Sequence, residues 1–163
     1  MNLIILLPVK RGEKLHTLHL NFEFISSLTI EEELLNERNG KLLVDIQGKL
    51  EILANDKCFF LEPSLALLEL GVNLAKWRRK IGVTQEDFYY FTMEHDERDG
   101  PILAFINKGD NKWSLFSIWQ EYEHKDSLSI NIIRDAVDLF LLNLDRELIK
   151  NFGISISDFT SPY

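Results

Sequence analysis

Leu18, Leu20, Phe22 and Phe24 alternate with His19, Asn21 and Glu23, the period-two signature of a strand with one buried face. Leu28 and Ile30 open a second, shorter run that drifts into Glu31, Glu32 and Glu33. Asn39 and Gly40 form a turn signal, after which Leu42, Val44 and Ile46 alternate with Leu43, Asp45 and Gln47. Beyond Gly48, Leu50, Ile52 and Ala54 repeat the alternation, Asn55 and Asp56 predict a tight turn, and Cys58 to Leu61 returns. This part of the chain predicts an antiparallel meander.

The pattern changes at Glu62, Pro63 and Ser64. Proline suits the first helical position, where its missing N–H goes unused. From Leu65 to Ile81 the apolar residues fall at helical spacing: Leu67, Leu68, Gly71, Leu74 and Ala75, broadened by Leu70 and Trp77. Lys76, Arg78, Arg79 and Lys80 complement the negative end of that helix, and Gly82 is placed to close it. Strands return over Asp87–Met93, Ile102–Ile106 and Trp113–Trp119, joined by the polar loop Glu94–Gly100 with Pro101 and by the turn Lys108–Asn111. Ser127 or Ser129 caps a final helix whose buried face is Ile133, Val137, Phe140, Leu144 and Leu148, and Gly153 stops it. The tail 154–163 is expected to dock loosely. The predicted fold is α+β: a largely antiparallel sheet of two meanders, with two long amphipathic helices packed on one face.

Composition narrows the class. With 163 residues, 45% of them hydrophobic, the chain suits one domain, residues 1–163, burying roughly 70% of its unfolded surface. Cys58 is the single cysteine, so no internal disulfide forms and a reducing compartment, the cytoplasm, is expected. Leu3 to Leu7 is apolar, but Pro8 ends the run and Lys10 and Arg11 follow it, the reverse of a secretory signal. No stretch approaches the ~20 apolar residues of a membrane span. Lys and Arg number 18 against 26 Asp and Glu, a net charge of −8, which opposes nucleic-acid binding and favours a basic protein partner.

Motifs for catalysis are missing. There is no P-loop, nucleophile elbow or dinucleotide fingerprint. His16 and His19 sit three apart, on opposite faces of a strand, so they do not share a metal. The cluster Glu94, His95, Asp96, Glu97, Arg98 and Asp99 lacks the spacing of a calcium loop and reads as a solvated hairpin loop. Cys58, between Lys57 and Phe59, reads as an inert core thiol, and Lys76–Lys80 as a helix end. No cofactor or metal is expected.

The strongest constellation joins aromatics to carboxylates. Trp119, Glu121, Tyr122, Glu123 and Asp126 lie between the last strand and the last helix. Glu94, Asp96, Glu97 and Asp99 lie on the preceding hairpin. An antiparallel meander brings those two connections to the same edge. Aromatics that desolvate on contact, rimmed by steering charge, form a binding surface for a basic partner. Set against this is a Trp119 buried in the core, with carboxylates that only confer solubility.

The stretches Phe60–Leu70, Asp87–Tyr90 and Trp113–Gln120, with the closing helix, resemble a group of small bacterial domains similar to the immunity proteins that accompany secreted polymorphic toxins. The resemblance spans the last two-thirds of the chain. It implies a non-enzymatic inhibitor that binds and blocks a toxin domain, and it transfers no individual site residue. An enzyme with a carboxylate site and an oligomeric structural subunit are the alternatives.

Overall fold

The computed structural model describes residues 15–93 and 95–160. The apolar run Leu3–Leu7 and its flanking charges, like Glu94, lie outside them. The chain runs through β1 (Leu18–Phe24), α1 (Glu32–Glu37), α2 (Leu42–Asp45), β2 (Gln47–Ala54), β3 (Lys57–Ala66), α3 (Leu67–Lys80), β4 (Phe88–Tyr90), β5 (Leu103–Asn107), β6 (Trp113–Phe116) and α4 (Ile130–Phe152). Short 3₁₀ turns cover Glu97–Asp99 and Ile156–Phe159.

The two meanders form two separate antiparallel sheets, ordered β1-β2-β3 and β4-β5-β6. Leu18 and Leu20 of β1 and Leu50, Ile52 and Ala54 of β2 are buried, as alternation requires. Gly48 opposes Phe24 so closely that a Cβ there stands 2.3 Å from the Glu23 carbonyl oxygen. Phe59 and Phe60 are adjacent in β3, yet both are buried. The register slips between Ile52↔Phe60 and Leu53↔Cys58, so Phe59 is the extra residue of a bulge and joins Phe60 in the core, where the Tyr122 ring meets it edge-on at 5.8 Å.

Three local expectations are corrected. Leu28–Ile30 forms no strand, and α1 follows it with Glu32 and Glu33 in its first turn, where acid complements the helix dipole. Leu42–Asp45 is a helical turn, not a strand. Leu42 and Ile46, four apart, are both fully buried by it, and β2 begins at Gln47. Pro63 does not start a helix; it sits exposed in β3, an edge strand, where the register slips between Leu50↔Glu62 and Gly48↔Leu65. A missing N–H breaks no ladder bond there.

α3 begins at Leu67 and touches α2, α4, β2 and β4, which makes it the central element of the core. Gly82 does not close it: Ile81 caps in the right-handed region, and the positive φ, 50°, falls on Gln85. Trp77 is buried as predicted, packs on Phe88, Phe105 and Trp113, and donates its Nε1–H to the Glu86 carbonyl at 2.8 Å. α4 is capped by Ser129, ends at Gly153 with φ 68°, and buries the five predicted residues. Phe140 packs edge-on against Phe22 of β1.

The tail is docked more firmly than expected as far as Thr160. Ile154 and Ile156 are buried, and Asp145 accepts from the Ser155 hydroxyl and the Ile156 N–H. Arg38 pairs with Asp158 at 3.1 Å, and Arg79 donates to the Thr160 hydroxyl. Among the described residues, no helix is long and apolar enough to cross a membrane.

Candidate functional site

After β6 the chain folds back on the buried Ser117. Its hydroxyl accepts from the Trp119 N–H at 2.9 Å, and its own N–H donates to Gln120 Oε1 at 3.2 Å. This turn pushes the Trp119 indole outward, leaving it 44% exposed. The Trp119 of the core reading is therefore excluded. Ile118 donates to the Pro101 carbonyl at 3.1 Å, which pins the turn to the loop before β5. In that loop the His95 Nε2–H donates to the Gly100 carbonyl at 3.0 Å, and the imidazole meets the Trp119 ring edge-on at 5.6 Å.

His95 and Trp119 form one wall of a surface groove of 260 Å³. The other wall comes from β3 (Glu62, Ser64, Leu65 and Ala66), the start of β2 (Gln47) and α2 (Val44), with Thr92 closing one side. The Ser64 N–H donates to Glu62 Oε1 at 3.4 Å, which keeps that carboxylate beside Ser64 at the bulge in β3. The Ser64 hydroxyl donates to Gln47 Oε1 at 2.8 Å, which fixes the amide orientation. The groove thus offers an exposed indole, one carboxylate and several hydrogen-bonding groups over an apolar floor. Chemically this suits a cationic, partly apolar side chain, which can lie on the indole face while its charge meets Glu62.

The two predicted segments do meet, through His95 and Trp119, but their carboxylates divide. Asp96, Glu97 and Asp99 are exposed on the 3₁₀ turn. Asp96 caps that turn and pairs with Arg98 at 2.8 Å, and the Arg98 hydrogen bonds hold its carboxyl below the usual range. Glu121 is exposed, while its backbone N–H is bound to the Phe59 carbonyl on the edge of β3 at 2.8 Å. Tyr122 is half-buried: its hydroxyl donates to the Ala54 carbonyl at 3.2 Å, and Lys57 Nζ stands 4.0 Å from its ring centre. Burial raises its pKa. Its hydroxyl and ring are thus tied to β2 and β3. Glu123 borders a second groove beside Lys108 and Lys125. Asp126 is half-buried near His124.

Sequence reading overlooked His124, which is only 8% exposed and whose Nε2 has no hydrogen-bond partner among the described residues. Burial lowers its pKa, the charge of Asp126 opposes that shift and His16 adds to it, so the neutral imidazole is favoured. Glu62 and Gln47 were overlooked too, because Pro63 suggested a helix start. Cys58 is half-buried, not sealed in the core, and its thiol donates to the Phe60 carbonyl at 3.6 Å. Burial first, then Glu51 and Glu121, push its pKa up, which disfavours the reactive thiolate. His19 is exposed and His16 approaches the Asn55 amide. Among the described residues, no three His, Cys, Asp or Glu side chains converge to hold a metal.

Two antiparallel meanders around a central helix, with a groove between β3 and the β4–β5 connection, define a small α+β domain. The chain belongs to the family described as a domain of unknown function (DUF7878), whose model matches residues 20–150, from β1 almost to the end of α4. No curated protein and no solved structure matches it.

Proposed function

We propose that this protein is a non-enzymatic binding protein of the bacterial cytoplasm, an immunity-type inhibitor that neutralises a cognate toxin domain. The observation that carries the reading is the half-exposed Trp119, held by the Ser117 turn and by His95 on the rim of a groove that contains Glu62. A fixed aromatic beside a carboxylate is a common anchor for a basic partner side chain. The net charge of −8 supports steering of such a partner. The exposed Glu97, Asp99, Glu121 and Glu123 surround the anchor's two flanking segments and supply the local field. The resemblance of the core stretches to toxin-associated immunity domains points to the same role. The carboxylate-enzyme alternative calls for at least two carboxylates in one cavity, and Glu62 is the one that the described residues bring to this groove.

The test is co-expression with a toxin domain encoded beside this gene in its native host. Growth restored by this chain, together with a 1:1 complex of the purified proteins, is the expected result. Trp119→Ala should weaken the complex by more than about tenfold, the effect of losing a hot-spot aromatic. Charge reversal at Glu94, Glu97, Glu121 and Glu123 should slow association and flatten its salt dependence, with the fold intact. Growth inhibition that persists at full expression of this chain, with no complex at micromolar concentrations, defeats the reading.

A further inference from the structure

α4 buries one face completely, and its opposite face is unusually apolar. Leu139, Leu142 and Ile149 are 54%, 57% and 53% exposed. At about 3.6 residues per turn they lie on the outward side together with Asp135, Asp138, Arg146 and Lys150. The charges on this face are ordered. Asp138 stands four residues before Leu142 and Arg146 four after it; Asp135 stands seven before and Lys150 eight after. The acidic half and the basic half are therefore nearly mirror-placed about Leu142.

We propose that this face is the interface of a two-fold symmetric dimer, in which α4 packs antiparallel on α4 of a second copy with the axis near Leu142. In that arrangement Leu142 meets its own counterpart. Asp135 falls opposite Lys150 of the second copy, and Asp138 opposite Arg146. A two-fold interface has to be self-complementary, and this charge order is so only in the antiparallel sense. Parallel pairing sets like charges against each other. Among the described residues, Asp135, Arg146 and Lys150 have no ion-pair partner, whereas Asp138 is already held by Arg78 at 2.7 Å. A 350 Å³ recess of mixed lining, with Ala75, Leu141 and Leu142 beside Arg79 and Asp145, flanks the stripe. The paired segment is about 22 Å long. One helix pair of that length falls at the small end of specific interfaces, so the dimer forms in the micromolar range or above.

Sedimentation velocity from about 5 to about 500 µM, in salt near 0.15 M so that the mutual repulsion of two acidic chains is screened, reads the association directly. The wild-type mass is expected to climb from one chain towards two. Leu142→Glu should stay a single chain at every concentration with an unchanged circular dichroism spectrum, because an exposed position tolerates the change. Asp135→Lys should weaken the dimer roughly tenfold, since symmetry repeats the lost pair and sets lysine against lysine. Adding Lys150→Glu to Asp135→Lys should restore it. A wild-type chain that stays single at the highest concentration overturns the proposal. So does a Leu142→Glu chain that dimerises normally, or a double charge swap that is no better than the single one.

Discussion

The Tyr90 phenol donates to Glu69 Oε1 at 3.1 Å, tying β4 to the first turn of α3 through a buried carboxylate. Tyr90→Phe keeps the ring and removes this donor. Loss of one hydrogen bond to a buried side chain should destabilise the fold by about 1–3 kcal/mol, read as a lower urea midpoint at unchanged slope.

The same pair sets the alkaline limit. Burial first, and then Glu69, push the Tyr90 pKa far above the ordinary tyrosine value, so the folded state holds that proton more tightly than the unfolded chain does. The contribution is complete below about pH 10 and is lost as pH rises beyond it. Stability of the wild type should fall more steeply above that pH than stability of Tyr90→Phe. Parallel curves would show that Tyr90 does not govern the alkaline limb.

His124 acts at the other end of the scale. Its folded pKa is lowered, chiefly by burial, so the unfolded chain takes up the proton first. Its contribution is present above about pH 6.5 and declines as pH falls below that. His124→Phe should flatten the loss of stability on acidification. It should also leave stability at pH 7.5 unchanged or higher, because an Nε2 with no partner among the described residues disappears. Chemical denaturation across that range measures both.

Trp77 and Trp113 are buried and Trp119 is not. Acrylamide should therefore quench mainly the Trp119 emission, and Trp119→Phe should drop the quenching slope to that of the two buried indoles. A cognate partner that covers the groove should protect the wild-type emission to the same degree.

Gly48→Ala places a methyl 2.3 Å from the Glu23 oxygen and 2.9 Å from the Phe24 Cα, both backbone atoms that β1 cannot move aside. Destabilisation of about 1–3 kcal/mol is expected, as for overpacking elsewhere. Gly40→Ala meets no atom of the described residues within 4 Å and should change stability by less than about 0.5 kcal/mol. Thermal melts of the pair give the comparison.

β1, β2 and α4 were legible in the sequence because each buries mainly one face, so period two or period 3.6 shows directly in residues such as Leu18, Leu20, Phe140 and Leu144. Leu42–Ile46 was ambiguous, since positions 42, 44 and 46 satisfy alternation while 42 and 46 also satisfy a helical turn. Pro63 carried two physical meanings, and only its place on an edge strand decides between them. At the site, Trp119 stood out by its chemistry. Contacts such as Tyr122 with Ala54, 68 residues apart, leave no local trace. His124 lies in a stretch with no periodicity, so nothing in its neighbours announced that it is enclosed.

Pro63 has a further consequence for the molecule at high concentration. An incoming strand that tried to zip onto the rim of the first sheet would find an amide missing at residue 63 and, farther along, the Phe59 carbonyl already occupied by Glu121. Growth of a continuous intermolecular ladder from that side is blocked at two points. The β3 rim is thus a poor template for a second copy's strand.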